Sequence, residues 1–226
     1  MGAAIGWGAL AASSLVIGAV LGLVRPWPPK LIGLVLGFGA GALISAVSFE
    51  LAEEGVKIAG GLPVAIGLGV GAMTYFVAAG RVAAMGGGGA LALGAFLDGI
   101  PEQMVLGIGL AGGQAVSAGL LAAIFVSNLP EAIGGATDMR QQRRTPRQVI
   151  MAWILIAAFC TAATGVGYLG GDTSDELQAG INGFAAGALI VMLVDSMIPE
   201  ATEQAGRATG LVTTLGFAVA AGLSLA

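Results

Sequence analysis

The sequence predicts an all-α integral membrane protein, folded as a single transmembrane domain over residues 1–226. Composition is the first reason. Hydrophobic residues make up 57% of the chain and charged residues 10%, with mean hydropathy +0.93, where a soluble domain carries about 25% charge. Segment length is the second. Apolar runs recur at about the 20 residues a helix needs to cross roughly 30 Å of hydrocarbon, where backbone polar groups must be satisfied within the segment. The third is punctuation, because Pro, Gly and nearly all the charge fall between those runs.

Eight spans follow in order. Gly2 to Val24 is uncharged; without a basic leader or clear cleavage site it reads as a first span, not as a removed signal. Prolines precede the second, Leu31 to Ala52, and glycines precede the third, Gly61 to Gly80. Gly86 to Gly89 read as a flexible connector to the fourth, Ala90 to Ala111, or as its frayed start, and the fifth is Ala115 to Ala136. An arginine-rich link leads to Val149 to Gly170, an acidic link to Leu177 to Ile198, and a short link to Ala208 to Ala226.

The bases sort by side. Links after odd-numbered spans hold Arg25, Lys30, Arg81, Arg140, Arg143, Arg144, Arg147 and Arg207, leaving only Lys57 opposite. Basic residues near span ends stay cytoplasmic, so both termini are expected outside the cytoplasm, in the plasma (inner) membrane. The arginine link is read as topogenic, ahead of a regulatory or lipid-binding role. The surplus of thirteen acids over nine bases offers nothing to nucleic acid. One cysteine, Cys160, supplies neither a disulfide framework nor a thiolate cage. The glycine-rich faces permit a homodimer.

Two internal likenesses stand out. Gly37-Phe38-Gly39-Ala40-Gly41-Ala42-Leu43-Ile44 returns 146 residues later as Gly183-Phe184-Ala185-Ala186-Gly187-Ala188-Leu189-Ile190. An odd number of spans separates the copies, so they cross in opposite senses, as in inverted-repeat transporters. The shorter likeness is chemical: Asp98-Gly99-Ile100-Pro101-Glu102 and Ser127-Asn128-Leu129-Pro130-Glu131 both read polar-x-x-Pro-Glu. Helical spacing puts Asp98 with Glu102, and Ser127 with Glu131, one turn apart on one face. Each proline also leaves a carbonyl four residues earlier without its usual donor.

Asp98, Glu102, Glu131 and Asp195 lie inside apolar runs, Glu50 lies near a span end, and no Lys or Arg lies at comparable depth. A mid-membrane charge costs at least about 2.5–3.5 kcal/mol, so such acids need a proton, a partner or a water-filled cavity. Carboxylate, amide and carbonyl oxygens together suit hard or borderline divalent cations. The candidate metal-binding residues are Asp98, Glu102, Asn128, Glu131, Ser127, Glu50 and Asp195; for Asp195 a structural role between helices is an equal reading.

These segments resemble the ZIP family of divalent metal transporters. Asp98 to Glu102 is similar to the family's His-Asn-x-Pro-Glu in the fourth helix, and Ser127 to Glu131 to its fifth-helix counterpart. Phe49, Glu50, Leu51 and Glu54 look like its Phe-x-His-Leu-x-Pro-Glu region, and Ile198-Pro199-Glu200-Ala201 like its Pro-Glu-Ala segment. The resemblance implies eight spans, with an inverted repeat of spans 1–3 and 6–8 around a central pair 4/5. It further implies uptake of zinc, iron(II), manganese or a similar ion into the cytoplasm through a site between helices 4 and 5. The metal would be cargo, with no tightly bound cofactor. This chain departs from the pattern in having no histidine. Asp98 stands where the family has histidine, Gly99 replaces an amide, and the sixth span offers no carboxylate, which puts a second metal in doubt and makes the site harder. Two rivals remain: a non-transporting metal sensor, and an intramembrane aspartyl protease with Asp98 and Asp195 as its dyad. The paired Pro-Glu motifs favour a non-enzyme.

Overall fold

A computed structural model describes residues 1–85, 90–111, 118–170 and 173–224, apart from the side chains of residues 83, 85, 90–98, 118 and 224. Among the described residues the chain forms eight helices: α1 (Gly2–Val24), α2 (Pro29–Ala59), α3 (Gly61–Met85), α4 (Ala90–Ala111), α5 (Ala118–Gln141), α6 (Pro146–Gly170), α7 (Asp175–Ala205) and α8 (Ala208–Ser224). Exposed Leu62, Ile66, Phe76, Leu169 and Leu211 give the bundle the apolar exterior that lipid requires.

The expectation of eight membrane-crossing helices, three plus three around a central pair, is corrected. Among the described residues six are long and apolar enough to cross: Gly2–Val24, Pro29–Ala59, Gly61–Val82, Gly119–Gln141, Pro146–Gly170 and Asp175–Ala205. α8 is described over 17 residues, which at 1.5 Å per residue is about 26 Å, short of a roughly 30 Å core. α4 is outside the six; its side chains are described only over residues 99–111, too short a stretch to be counted.

α2 and α7 are longer than expected for one reason. Each passes through a π-helical stretch, Val47–Glu53 in α2 and Leu193–Met197 in α7, whose wider turns carry the helix onward instead of ending it. Both stop at a glycine with positive φ, Gly60 at 81° and Gly206 at 62°, a conformation that costs glycine little. The π stretches and the terminal glycines are again 146 residues apart, so the likeness between the two segments extends to their irregularities. The helices pack antiparallel: Gly33 of α2 meets Ala201, Gln204 and Ala205 of α7, while Gly55 meets Ala179 and Asn182.

Glycines zip the remaining helices into four parallel pairs. In α1/α5, Gly18 faces the Leu129 carbonyl and Gly22 that of Ile133; in α4/α6, Gly107 faces Thr164 and Gly167 faces Met104. In α3/α7, Gly67, Gly71, Gly183 and Gly187 lie on Gly180, Phe184, Val64 and Leu68, and in α2/α8 Gly41 and Gly216 lie on Thr213 and Phe38. Such contacts need small residues because lipid supplies no hydrophobic drive between helices. One apolar core, with Leu36, Leu43, Leu106, Ile124 and Leu189, fills the space among α2, α4, α5 and α7; a second, around Trp153 and Leu15, joins α1, α5 and α6.

These directions bring Arg25, Lys30, Arg81, Arg140, Arg143, Arg144, Arg147 and Arg207 to one end of the bundle, and Lys57, Asp175 and Glu176 to the other. There Lys57 pairs with Glu53 at 2.8 Å, and Ser174 caps α7 by accepting from the Leu177 amide. At the basic end α5 closes with the Arg144 amide donating to the Met139 carbonyl and the Arg143 amide to that of Arg140, while Arg143 sits at φ 64°. A β-carbon makes that left-handed conformation cost about 1–2 kcal/mol. α6 opens on a capping box, in which the Gln148 amide donates to Thr145 Oγ1 and the Thr145 amide to Gln148 Oε1. Thr145→Ala should cost about 1 kcal/mol, read as a lowered midpoint of thermal unfolding in detergent; an unchanged midpoint would show the box idle.

Candidate functional site

The two polar-x-x-Pro-Glu segments meet. Both prolines sit inside unbroken helices, Pro101 in α4 and Pro130 in α5. Facing each other across the α4/α5 contact, Ser127 Oγ donates to Glu102 Oε1 at 3.2 Å and Asn128 Nδ2 to Glu102 Oε2 at 2.7 Å. Both donors also reach the Ile124 carbonyl, at 3.0 and 2.8 Å. Glu102 and Asn128 are 1% exposed and Ser127 is fully buried. The buried carboxylate therefore has a polar donor at each oxygen, which is how a buried acid is tolerated.

Glycines bring the walls close. α2 reaches the site at Gly39, where a β-carbon would lie 3.0 Å from Ser127 Cα. α6 reaches it at Gly99, where a β-carbon would lie 2.6 Å from Cys160 Sγ. Buried Cys160 lies within electrostatic reach of both Glu102 and Glu131. One turn further along α6, Thr164 Oγ1 donates to Gln103 Oε1 at 2.6 Å, fixing α4 against α6 beside the acid.

The other candidate residues are placed as follows. Glu131, one turn beyond Ser127 on α5, is half-buried, and Glu50 is half-buried on the π stretch of α2. Asp195 is exposed on the π stretch of α7. The side chain of Asp98 lies outside the described residues. Among the described residues no three acids or thiols converge as a ready metal cage. What the described residues do bring together is the Glu102 carboxylate with the Ser127 hydroxyl and the Asn128 amide. Cys160 was missed by the sequence reading; its signal would have been the i, i+4 pair with Thr164 on the face of α6 that packs on α4.

Fold and site define a polytopic membrane protein with a buried, hydrogen-bonded carboxylate between two of its helices. The chain is 28% identical over 210 residues to a protein of Arabidopsis thaliana named "Putative zinc transporter", a match covering 86% of this chain and 34% of the plant protein. It thus spans about a third of the length of that distant relative. No family model matches the chain.

Proposed function

We propose that this protein carries a divalent metal cation, with zinc, iron(II) and manganese as candidate cargo, toward the cytoplasm past Glu102 in the manner of a histidine-free ZIP transporter. One observation carries the proposal: Glu102 is 1% exposed at the centre of the bundle, while all nine basic side chains are exposed near helix ends. A cation from outside the chain matches an acid in that position. The likeness to a protein named as a zinc transporter supports a metal as that cation.

Glu102 and Glu131 would supply charge, Ser127 a hydroxyl and Asn128 its amide oxygen, with Asp98 one turn away from Glu102. Glu50 would collect ions on the approach along α2. Asp195, being exposed, is given no ligand role. Without an ion the Asn128 amide donates to Glu102; when an ion binds, it replaces that donor, and the amide turns its oxygen inward. Carboxylate and carbonyl oxygens accept zinc and the harder divalent ions alike. A protease would need Asp98 and Asp195 to share one site, and the exposure of Asp195 weighs against that.

The test is uptake into proteoliposomes, scanned over manganese, iron(II), zinc, cadmium, magnesium and calcium, with Glu102→Ala plus Glu131→Ala as the control. Saturable flux lost in the double variant is the expected result. A folded, inserted protein that moves none of these metals overturns transport, and metal binding without flux would mark a sensor.

A further inference from the structure

We propose that the π stretches of α2 and α7 are the two gates of the ion path, where each helix shifts its backbone register by one residue and so turns the acid that the stretch carries, Glu50 in α2 and Asp195 in α7. The inference rests on the transport reading above. Such stretches are rare and frequently sit at functional sites. The described residues carry two, at equivalent points of the repeated segment.

Each stretch separates two anchored pieces of one helix. Before it, Gly37 and Gly41 seat α2 on α8, and Gly183 and Gly187 seat α7 on α3. After it, Gly55 seats α2 on Ala179 and Asn182 of α7, while Ala201 and Ala205 of α7 seat on Gly33 of α2. Any sliding of α2 along α7 against those other partners is therefore taken up in the stretches. The amide that opens each one is already divided between two carbonyls: the Val47 N–H donates to both Leu43 and Ile44, and the Leu193 N–H to both Leu189 and Ile190.

The α2/α7 contact is also incompletely satisfied where it clamps. Asn182 Oδ1, packed against Gly55, and Gln204 Oε1, packed against Gly33, are buried without a donor among the described residues. Ser45 Oγ, two residues ahead of the α2 stretch, is buried without a partner as well. Buried polar atoms in that condition cost stability, and a second register of α2 on α7 would relieve them. The stretches lie beyond the midpoints of their helices, Val47–Glu53 toward Lys57 and Leu193–Met197 toward Arg207, so one gate serves each end of the bundle. A shift of one residue turns a side chain through about 100°. That is enough to carry Glu50 from half-buried to exposed and Asp195 from exposed to buried.

The test compares the full chain in proteoliposomes with two single deletions, Ala52 from α2 and Val194 from α7. Each removes the extra residue and closes its stretch to α-helix while leaving the flanking helix in phase. Both variants should insert and bind manganese, iron(II) or zinc within about twofold of wild type, yet carry the metal at least about tenfold more slowly, because a gate limits passage and not binding. Wild-type flux in either deletion variant overturns the gates alone, whereas an unaltered chain that moves no metal overturns the transport reading and the gates with it. Flux lost only together with binding would mark damage at the Glu102 site and equally count against the gates. Should the deletions fail to insert, hydrogen exchange of the unaltered chain decides. Amides of residues 47–53 and 193–197 should change their exchange at least about threefold when the metal is added, while those of the α3/α7 zipper hold; unchanged exchange in either stretch overturns the proposal.

Discussion

Glu102→Ala is expected to lower metal uptake at least about tenfold, since even partners that only orient a metal's ligands are worth 10–100-fold. The same change should destabilise the protein. Ser127 Oγ would keep the Ile124 carbonyl as acceptor, but one N–H of Asn128 Nδ2 would lose its acceptor in a buried site, at about 1–3 kcal/mol. Reading flux and unfolding together separates the two effects. Glu102→Gln keeps the shape and can turn its amide oxygen to Asn128 Nδ2 and its nitrogen to Ser127 Oγ, so it should lose uptake with the charge while keeping most of the stability. Wild-type uptake by Glu102→Ala would place the ion path elsewhere.

Gly187→Val is the largest expected structural effect. Its β-carbon would meet the Leu68 carbonyl and the Ala72 amide nitrogen, which are backbone of α3 and cannot rotate away. Overpacking typically costs about 1–3 kcal/mol, and here α3 and α7 would have to separate along the zipper that Gly67, Gly71 and Gly183 also form. We expect about 3 kcal/mol or more, seen as a large drop in unfolding midpoint or as failure to accumulate in the membrane. Gly69→Ala is the matched control, because nothing lies within 4 Å of its β-carbon; helix propensity favours alanine there by about 1 kcal/mol. Equal behaviour of the two variants would refute the zipper.

Much of this was legible in the sequence. Apolar run length places all eight helices to within several residues, and the two Pro-Glu segments point to the α4/α5 contact because i, i+4 spacing survives an internal proline. The π stretches were not legible. A periodic reading treats Glu53, Glu54 and Lys57 as the end of a span, whereas the wider turn carries α2 through them to Gly60. The crossing count is six among the described residues, where the side chains of α4 are described only over residues 99–111 and α8 is described over 17 residues. Cys160 read as one more apolar residue; only tertiary packing on Gly99 sets it beside the acids. Asp195 lies within an apolar run, but position along a helix does not say which way a side chain faces, and here it is exposed.

The four glycine-zipped pairs divide the bundle mechanically. Where backbone lies on backbone, two helices move as one rod. Glu102 belongs to the α4/α6 rod, and Ser127 and Asn128 belong to the α1/α5 rod, so their hydrogen bonds cross a seam between stiff bodies. Any rearrangement that lets the rods part breaks those bonds before it disturbs either zipper. If the polar contact is the proposed binding site it would serve as a latch too, since an ion that draws both sides toward itself would close the seam it sits in.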